Sequence, residues 1–121
     1  GLEPCLAPTV NAATREEEGR RAARRLIERG EGVDAAFAAC DAMALGALEA
    51  FAAADIAVPG EVGVMGFDDL VAGRFSRPPL TTIAPDPAEA GAALVEAVLD
   101  EGAAARRRVP VKLIRRGSTA K

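Results

Sequence analysis

Polar and reactive side chains in this sequence follow directly after short apolar runs, at the points where strands of a sheet would end. In an open sheet of parallel strands, ligands bind outside the carboxyl ends of the strands. The pattern therefore predicts one ligand-binding edge on this chain. The residues that it would bring together are Asn11 and Thr14 after the run through Val10, Cys40 and Asp41 after residues 33–39, and Asp68 and Asp69 after residues 62–66.

Each of these candidate residues could instead have a purely structural role. Thr14 and Glu17 have the spacing of a capping box, in which a hydroxyl and a glutamate satisfy the first amides of a helix. Asp41 stands immediately before a helical pattern, so we predict that it is an N-cap, with direct contact to a ligand as the alternative. No long helix follows Asp68, so we predict that its carboxylate contacts a ligand, with a turn-forming role as the alternative.

The composition excludes several kinds of chemistry. The chain has no histidine and two cysteines, which removes the usual zinc sites and any nucleophile activated by histidine, unless another chain supplies that histidine. Asp68 and Asp69 leave a strand in divergent directions without further acidic ligands, so we expect no Mg²⁺ site. The sequence therefore predicts no metal, no cofactor and no enzymatic activity.

Charge and hydropathy narrow the range of partners. The 15 basic and 18 acidic residues give a net charge of −3, which argues against binding of a nucleic-acid backbone by this chain alone. No apolar run approaches the roughly 18 residues that a membrane-spanning helix needs. The first residues lack the pattern of a signal peptide, and two isolated cysteines suit a reducing compartment, so we expect a cytoplasmic location.

The apolar spacing predicts alternating strands and helices. Helical patterns separate short apolar runs, which is typical of βα units and of a parallel, right-handed, doubly wound sheet. Such runs are expected to be strands buried on both faces. Asp86, Pro87 and Glu89 form the clearest helix start, with an N-cap followed by proline at the first helical position. The predicted helices cover residues 15–29, 42–54, 71–75 and 87–100, and the predicted strands cover residues 33–39, 62–66, 80–83 and 109–115.

Several motifs occur in an order and at a spacing that resemble one known family. They are CDAMALG from Cys40, VPGEV from Val58, GFDD from Gly66, PLTT from Pro79 and RGS from Arg116. Together they resemble the effector-binding core of lac repressor/galactose repressor (LacI/GalR) family transcription regulators, from about residue 14 to residue 119. The resemblance implies a periplasmic-binding-protein-like fold, in which two lobes hold a small effector and shift a DNA-binding headpiece.

The resemblance also implies how the chain divides. Residues 1–84 would form an incomplete C-terminal lobe, residues 85–105 would cross to the other lobe with their helix, and residues 106–121 would return as the final strand. The helix-turn-helix headpiece, the hinge and the first lobe would lie outside this chain, so operator DNA is expected to bind only through that headpiece. The apolar face of helix 87–100 should then be covered by a second copy or by the remainder of a larger protein. Its members are Leu94, Val95, Val98 and Leu99.

The effector contacts of the family correspond to four residues here. Asp68 matches an aspartate that bonds sugar hydroxyls or a base, and Cys40, Thr14 and Pro85 match further contact positions. The chain has Cys40, a weak hydrogen-bonding group, where many members have asparagine, and it has proline where sugar-responsive members can carry a polar residue. Both differences argue against a sugar effector and make Asp68 the principal candidate.

A homodimer is expected as well. Leu45, Leu48 and Phe51 give helix 42–54 a wider apolar face than one side of a thin sheet requires, and dimers of the family use this helix.

The alternative function is the C-terminal lobe of an extracytoplasmic sugar-binding protein of an ABC transporter, which shares the fold and two of the motifs. The PLTT and RGS motifs favour the regulator.

Overall fold

The computed structural model describes residues 15–30, 32–99 and 108–120. Thr14 and the strand predicted through Val10 lie outside the described residues. The other predicted elements are all found, within a few residues of their predicted bounds. They are α1 (Arg15–Arg29), β1 (Ala35–Phe37), α2 (Asp41–Ala53), β2 (Gly63–Phe67), α3 (Val71–Phe75), β3 (Thr81–Pro85), α4 (Pro87–Leu99) and β4 (Val111–Ile114).

The four strands form one sheet in the order β1-β2-β3-β4. The first three strands are parallel, as predicted, with Phe67 of β2 beside Ile83 of β3. β4 is antiparallel to β3, with Thr82 opposite Ile114, so the prediction of a wholly parallel sheet is wrong at this strand. A parallel return would require a crossover packed on the sheet, and α4, which precedes β4, buries none of its residues.

β1 lies at one edge of the described sheet. Its side chains alternate between exposed and half-buried, and Phe37 is 60% exposed. The prediction that this apolar run is buried on both faces is therefore wrong within the described residues. The reason is its edge position, because the described strands pair with β1 on one side only.

The core is built mainly from small side chains, and two glycines set the distance between α1 and α2. Gly19 of α1 lies against the backbone of Met43, and Gly46 of α2 lies against the backbone of Glu16. A methyl group at either glycine would overlap main-chain atoms of the facing helix. The buried apolar residues are Ala23, Ala44, Ala47, Leu48, Ala50, Phe51, Val62, Val64 and Leu80.

α4 begins as the sequence predicts but does not pack on its own sheet. Asp86 Oδ1 accepts the amides of Ala88 at 3.0 Å and Glu89 at 3.2 Å, which confirms the predicted N-cap. The four apolar side chains of its predicted face are 59–80% exposed, which confirms that no element of the described chain covers them. α4 therefore presents a continuous apolar face to its surroundings.

Replacing Gly46 by alanine should lower the free energy of unfolding by about 1–3 kcal/mol, the usual effect of forcing a methyl group into a packed contact. The added carbon would overlap main-chain atoms of Glu16, which cannot move aside as a flexible side chain would. Gly91→Ala on α4 is the matched control, because no atom lies within 4 Å of the added carbon and alanine favours a helix by about 1 kcal/mol. Urea denaturation measures both, and equal effects would contradict the close helix crossing.

Candidate functional site

The loop after β2 carries Asp68 on a backbone that is held at three successive amides. Each amide donates a hydrogen bond to a different group, and the three acceptors lie on β3 and at the start of α2. Two neighbouring elements therefore fix the path of this loop. The bonds run from Asp68 to the Ile83 carbonyl at 2.9 Å, from Asp69 to Thr82 Oγ1 at 3.4 Å and from Leu70 to Asp41 Oδ2 at 2.7 Å.

The same loop has a backbone conformation that its residues do not favour by themselves. Asp68 has φ 107° and Asp69 has φ 50°, both on the left-handed side that side chains with a Cβ rarely adopt. Such conformations persist where the surrounding structure holds them. The Asp68 side chain is exposed, and its carboxylate has no hydrogen-bond partner among the described residues. A free carboxylate on a fixed backbone is suited to accept hydrogen bonds from a ligand.

Asp41 is not the N-cap of α2, which corrects the prediction. The N-cap residue is Cys40, whose side chain makes no capping bond, and Asp41 is the first residue of the helix. Asp41 is fully buried, and its carboxylate accepts Leu70 N–H and the Thr82 hydroxyl at 2.6 Å. The Thr82 hydroxyl is itself buried and needs an acceptor, so its demand overrides the local preference of Asp41 for capping. Burial also keeps Asp41 away from any ligand.

The Asp69 carboxylate forms an ion-pair network with two arginines, which takes the place of contact with a ligand. Its carboxylate accepts hydrogen bonds from Arg116 and, at 2.9 Å, from Arg74, while Arg116 also donates to the Leu80 carbonyl at 2.9 Å. The Arg116 guanidinium, aided by Arg74, holds the pKa of Asp69 below its ordinary value against the opposing effect of desolvation. The last segment of the chain is thereby attached to the loop that carries Asp68.

The structure places three of the four predicted effector contacts at the carboxyl edge of the parallel strands. Asp68 follows β2, Cys40 follows β1, and Pro85 ends β3. Pro85 is half-buried and Cys40 is 7% exposed, so Asp68 is the most accessible of the three. Thr14 lies outside the described residues. Their contact with an effector stays a prediction.

Sequence reasoning missed what the C-terminal segment does near the amino-terminal ends of β2 and β3. The fully buried Ser118 hydroxyl accepts Thr81 N–H at 2.8 Å and donates to the Val64 carbonyl at 2.6 Å. Ser118 N–H also donates to the Pro79 carbonyl at 2.9 Å. The RGS and PLTT motifs are the only signal for this arrangement, and neither motif says that the two segments bind each other.

The predicted dimer-interface residues occupy two different environments. Leu48 and Phe51 are 6% and 3% exposed and belong to the core of this chain, so they do not form a free face. Leu45 is only partly buried and lines a shallow groove between α2 and α3. Phe75 lines the same groove and is 80% exposed. Of the three predicted residues, Leu45 is the one with surface available to a partner.

The fold and the motifs agree with comparisons to known proteins. A family profile described as "Periplasmic binding protein-like domain" matches residues 3–119. The chain belongs to this family. Within it, the sequence is 39% identical over 74 residues to the transcriptional repressor PurR of Haemophilus influenzae (strain PittEE), which covers 61% of this chain and 22% of PurR. The regulator CelR of Thermobifida fusca is 40% identical over 67 residues, covering 55% of this chain and 20% of CelR.

Solved structures show that this periplasmic-binding-protein-like domain is similar to the same regulators. The lac repressor dimer bound to operator and the anti-inducer ONPF matches with a TM-score of 0.77 and 30% identity, over 87% of this chain and 33% of the repressor chain. A complex of CelR with cellobiose matches with a TM-score of 0.69 and 33% identity, over 85% of this chain and 33% of CelR. The domain is therefore of the type found in the effector-binding region of LacI/GalR-family regulators.

This periplasmic-binding-protein-like domain spans only about a fifth of the length of the curated relatives that it matches. Its matched relatives are transcriptional regulators and not enzymes. Among the described residues, no helix has the length and apolar content to cross a membrane.

Replacing Arg116 by glutamine should destabilise the domain most above about pH 4, and this effect should shrink as the pH falls through the lower folded pKa of Asp69. The folded-state pKa of Asp69 is depressed by Arg116, so the ion pair stabilises the fold above the unfolded pKa of about 4 and is lost as the pH falls through the lower folded value. The midpoints of urea unfolding of wild type and variant, measured between pH 7 and pH 2.5, test this pH dependence. The exposed Arg115→Gln is the control, and a pH-independent difference between Arg116→Gln and wild type would contradict the ion pair's role.

Proposed function

We propose that this chain is part of the effector-binding core of a LacI-type transcription regulator, and that Asp68 accepts hydrogen bonds from the effector. The observation that carries the proposal is the exposed Asp68 carboxylate, which has no partner among the described residues. It stands on a loop tethered through three amides at the carboxyl edge of parallel strands. The similarity to PurR, CelR and the lac repressor supports the regulatory setting. This edge is also where open parallel sheets bind ligands.

The chemistry of the edge favours an effector with hydroxyl or N–H donors on one side. Asp68 offers two acceptor oxygens, whereas Pro85 offers no side-chain hydrogen bond and the Cys40 thiol offers a weak one. One charged acceptor among weakly polar groups fits a molecule with a donor-rich edge and a flatter apolar face. Among sugars and related metabolites, this edge favours a metabolite with fewer hydroxyl groups than a sugar. Thr14 would add a hydroxyl to this edge.

We propose that residues 85–105 pack with a second lobe and that residues 1–84 and 106–121 form the lobe described above. The exposed apolar face of α4 supports the first part, since four large apolar side chains facing water are unfavourable for a domain of ordinary stability. The pairing of β4 with β3 supports the second part. DNA binding would then belong to a headpiece outside this chain, in agreement with the net charge of −3.

The groove between α2 and α3 is the proposed contact with a second copy of the chain. Leu45 and Phe75 line it together with the small side chains of Ala52 and Ala72, which leave room for a partner's side chains. Val71, on the same short helix as Phe75, is 65% exposed. The similar lac repressor structure is a dimer, which supports the choice of occupant.

A lysine at position 45 or 75 should weaken dimerisation by at least about tenfold, because an unpaired ammonium group would be buried in the contact. Leu45→Lys and Phe75→Lys are compared by analytical ultracentrifugation of the protein made from the complete reading frame. Ala53→Lys is the control, since Ala53 is exposed on the same helix outside the groove. Unchanged dimer dissociation constants for both groove variants would place the contact elsewhere.

Asp68→Asn should weaken effector binding by about 10- to 100-fold, the range expected when hydrogen bonds to a charged acceptor lose its charge. Isothermal titration calorimetry on the protein from the complete reading frame would use cellobiose, D-galactose and hypoxanthine as probes of sugar and base chemistry. Asp55→Asn is the matched control, because Asp55 is also exposed and has a positive φ of 56° but follows α2. Equal affinity of wild type and Asp68→Asn for a bound probe would refute the proposal.

A further inference from the structure

The pair formed by Asp41 and Thr82 lies directly behind the Asp68 loop, and neither side chain is accessible to a ligand. Asp41 and Thr82 are both fully buried. We propose that Asp41 and Thr82 are positioning residues, which hold Asp68 in its binding conformation and thereby set the affinity for the effector. This inference rests on the proposed function of Asp68.

The hydrogen bonds of the pair are directed from the loop inward. Asp69 N–H donates to Thr82 Oγ1, and the Thr82 hydroxyl donates onward to Asp41 Oδ1 at 2.6 Å. The second oxygen, Asp41 Oδ2, accepts Leu70 N–H at 2.7 Å. The carboxylate therefore orients the Thr82 hydroxyl so that its lone pairs face the loop, and hydrogen bonds in such a chain polarise one another.

The conformation of the loop requires this support from outside. Asp68 and Asp69 are consecutive residues with positive φ, and the short helix α3 that follows has no capping bond from a side chain. Two of the three bonds that hold the loop amides end on Thr82 or Asp41. Without them, Asp68 N–H would be the one bonded amide of the three, beside the bonds of the Asp69 side chain to Arg116 and Arg74. The Asp68 carboxylate would then sample a wider range of positions.

The slot that holds Asp41 is shaped for its carboxylate. A methyl group on Gly66 would collide with Asp41 Oδ1, and a methyl group on Gly73 would lie 3.7 Å from Oδ2. The space that the buried carboxylate fills therefore depends on the glycine at position 66, because a methyl group on Gly73 would make an ordinary van der Waals contact with Oδ2. Asp41 makes these bonds in place of capping α2, whose N-cap residue makes no side-chain bond. The bonds of Asp41 therefore serve the loop and β3 and do not serve the start of its own helix.

The test compares Thr82→Val, Thr82→Ser and Asp41→Asn in the protein made from the complete reading frame. Hydrogen exchange is followed by NMR at Asp69 and Leu70 and, for the core, at Val64 and Leu48. We expect exchange at the two loop amides to become at least about tenfold faster in Thr82→Val and Asp41→Asn, with a clearly smaller acceleration in the core. Thr82→Ser keeps the hydroxyl and should restore slow exchange.

A matched control removes a hydroxyl that does not touch the loop. Thr119→Val breaks the 2.7 Å bond between the Thr119 and Thr81 hydroxyls and should leave Asp69 and Leu70 exchange unchanged. Unchanged loop exchange in both Thr82→Val and Asp41→Asn would overturn the inference. Equal acceleration in the loop and the core would also overturn it, because the pair would then contribute only to general stability. If one of these two variants does not fold, the other decides.

Calorimetry with cellobiose, D-galactose and hypoxanthine separates this inference from the proposed function. We expect Thr82→Val to weaken binding about tenfold and Thr82→Ser to bind as wild type does. If Asp68→Asn weakens binding and Thr82→Val does not, the positioning role is wrong and the proposed function stands. If Asp68→Asn leaves the affinity for a bound probe unchanged, the proposed function fails, and the positioning role fails with it. If no probe binds, the exchange rates alone decide.

Discussion

The buried carboxylate of Asp41 is the constraint on which the functional edge of this domain depends. It joins the start of α2, the loop after β2 and the strand β3 through bonds to Leu70 and Thr82. A buried carboxylate is stable only where hydrogen-bond donors satisfy it, so the loss of either bond would leave a buried oxygen without a donor. The conformation of the Asp68 loop and the glycine at position 66 both follow from this one group.

The sequence predicts those features of the fold that depend on neighbouring residues. The bounds of α3 and the Asp86 cap of α4 agree with the predictions, because helix starts are encoded within a few residues. The prediction that Asp41 is an N-cap was wrong because an aspartate can serve equally as a cap and as a buried hydrogen-bond acceptor. The distant donors Leu70 and Thr82 decide between the two roles, and sequence spacing does not reveal those contacts.

The remaining differences also arise from long-range geometry. The apolar run of β1 was expected to be buried, but burial depends on what lies beyond the strand and not on its own composition. The direction of β4 depends on whether α4 packs on the sheet, which its apolar face alone does not determine. The ion pair of Asp69 with Arg116 joins residues 47 positions apart. The placement of Asp68, Cys40 and Pro85 at one edge could be predicted because parallel strands bring their carboxyl ends together.

The polar and apolar surfaces of the domain lie in different places. The core is small and rich in alanine, while the apolar faces of α4 and of the groove between α2 and α3 remain uncovered in the described chain. The polar edge around Asp68 lies apart from this core and is stiffened by bonds from α2, β3 and the C-terminal segment. A rigid polar edge and uncovered apolar faces are the arrangement expected when a ligand site and packing contacts must coexist on one lobe.

The most direct test is a crystal structure of the protein from its complete reading frame with a bound effector. The account predicts a ligand hydroxyl or N–H within about 2.5–3.0 Å of the Asp68 carboxylate, with the bond from Leu70 N–H to Asp41 retained. An effector bound with Asp68 still facing solvent would contradict the account.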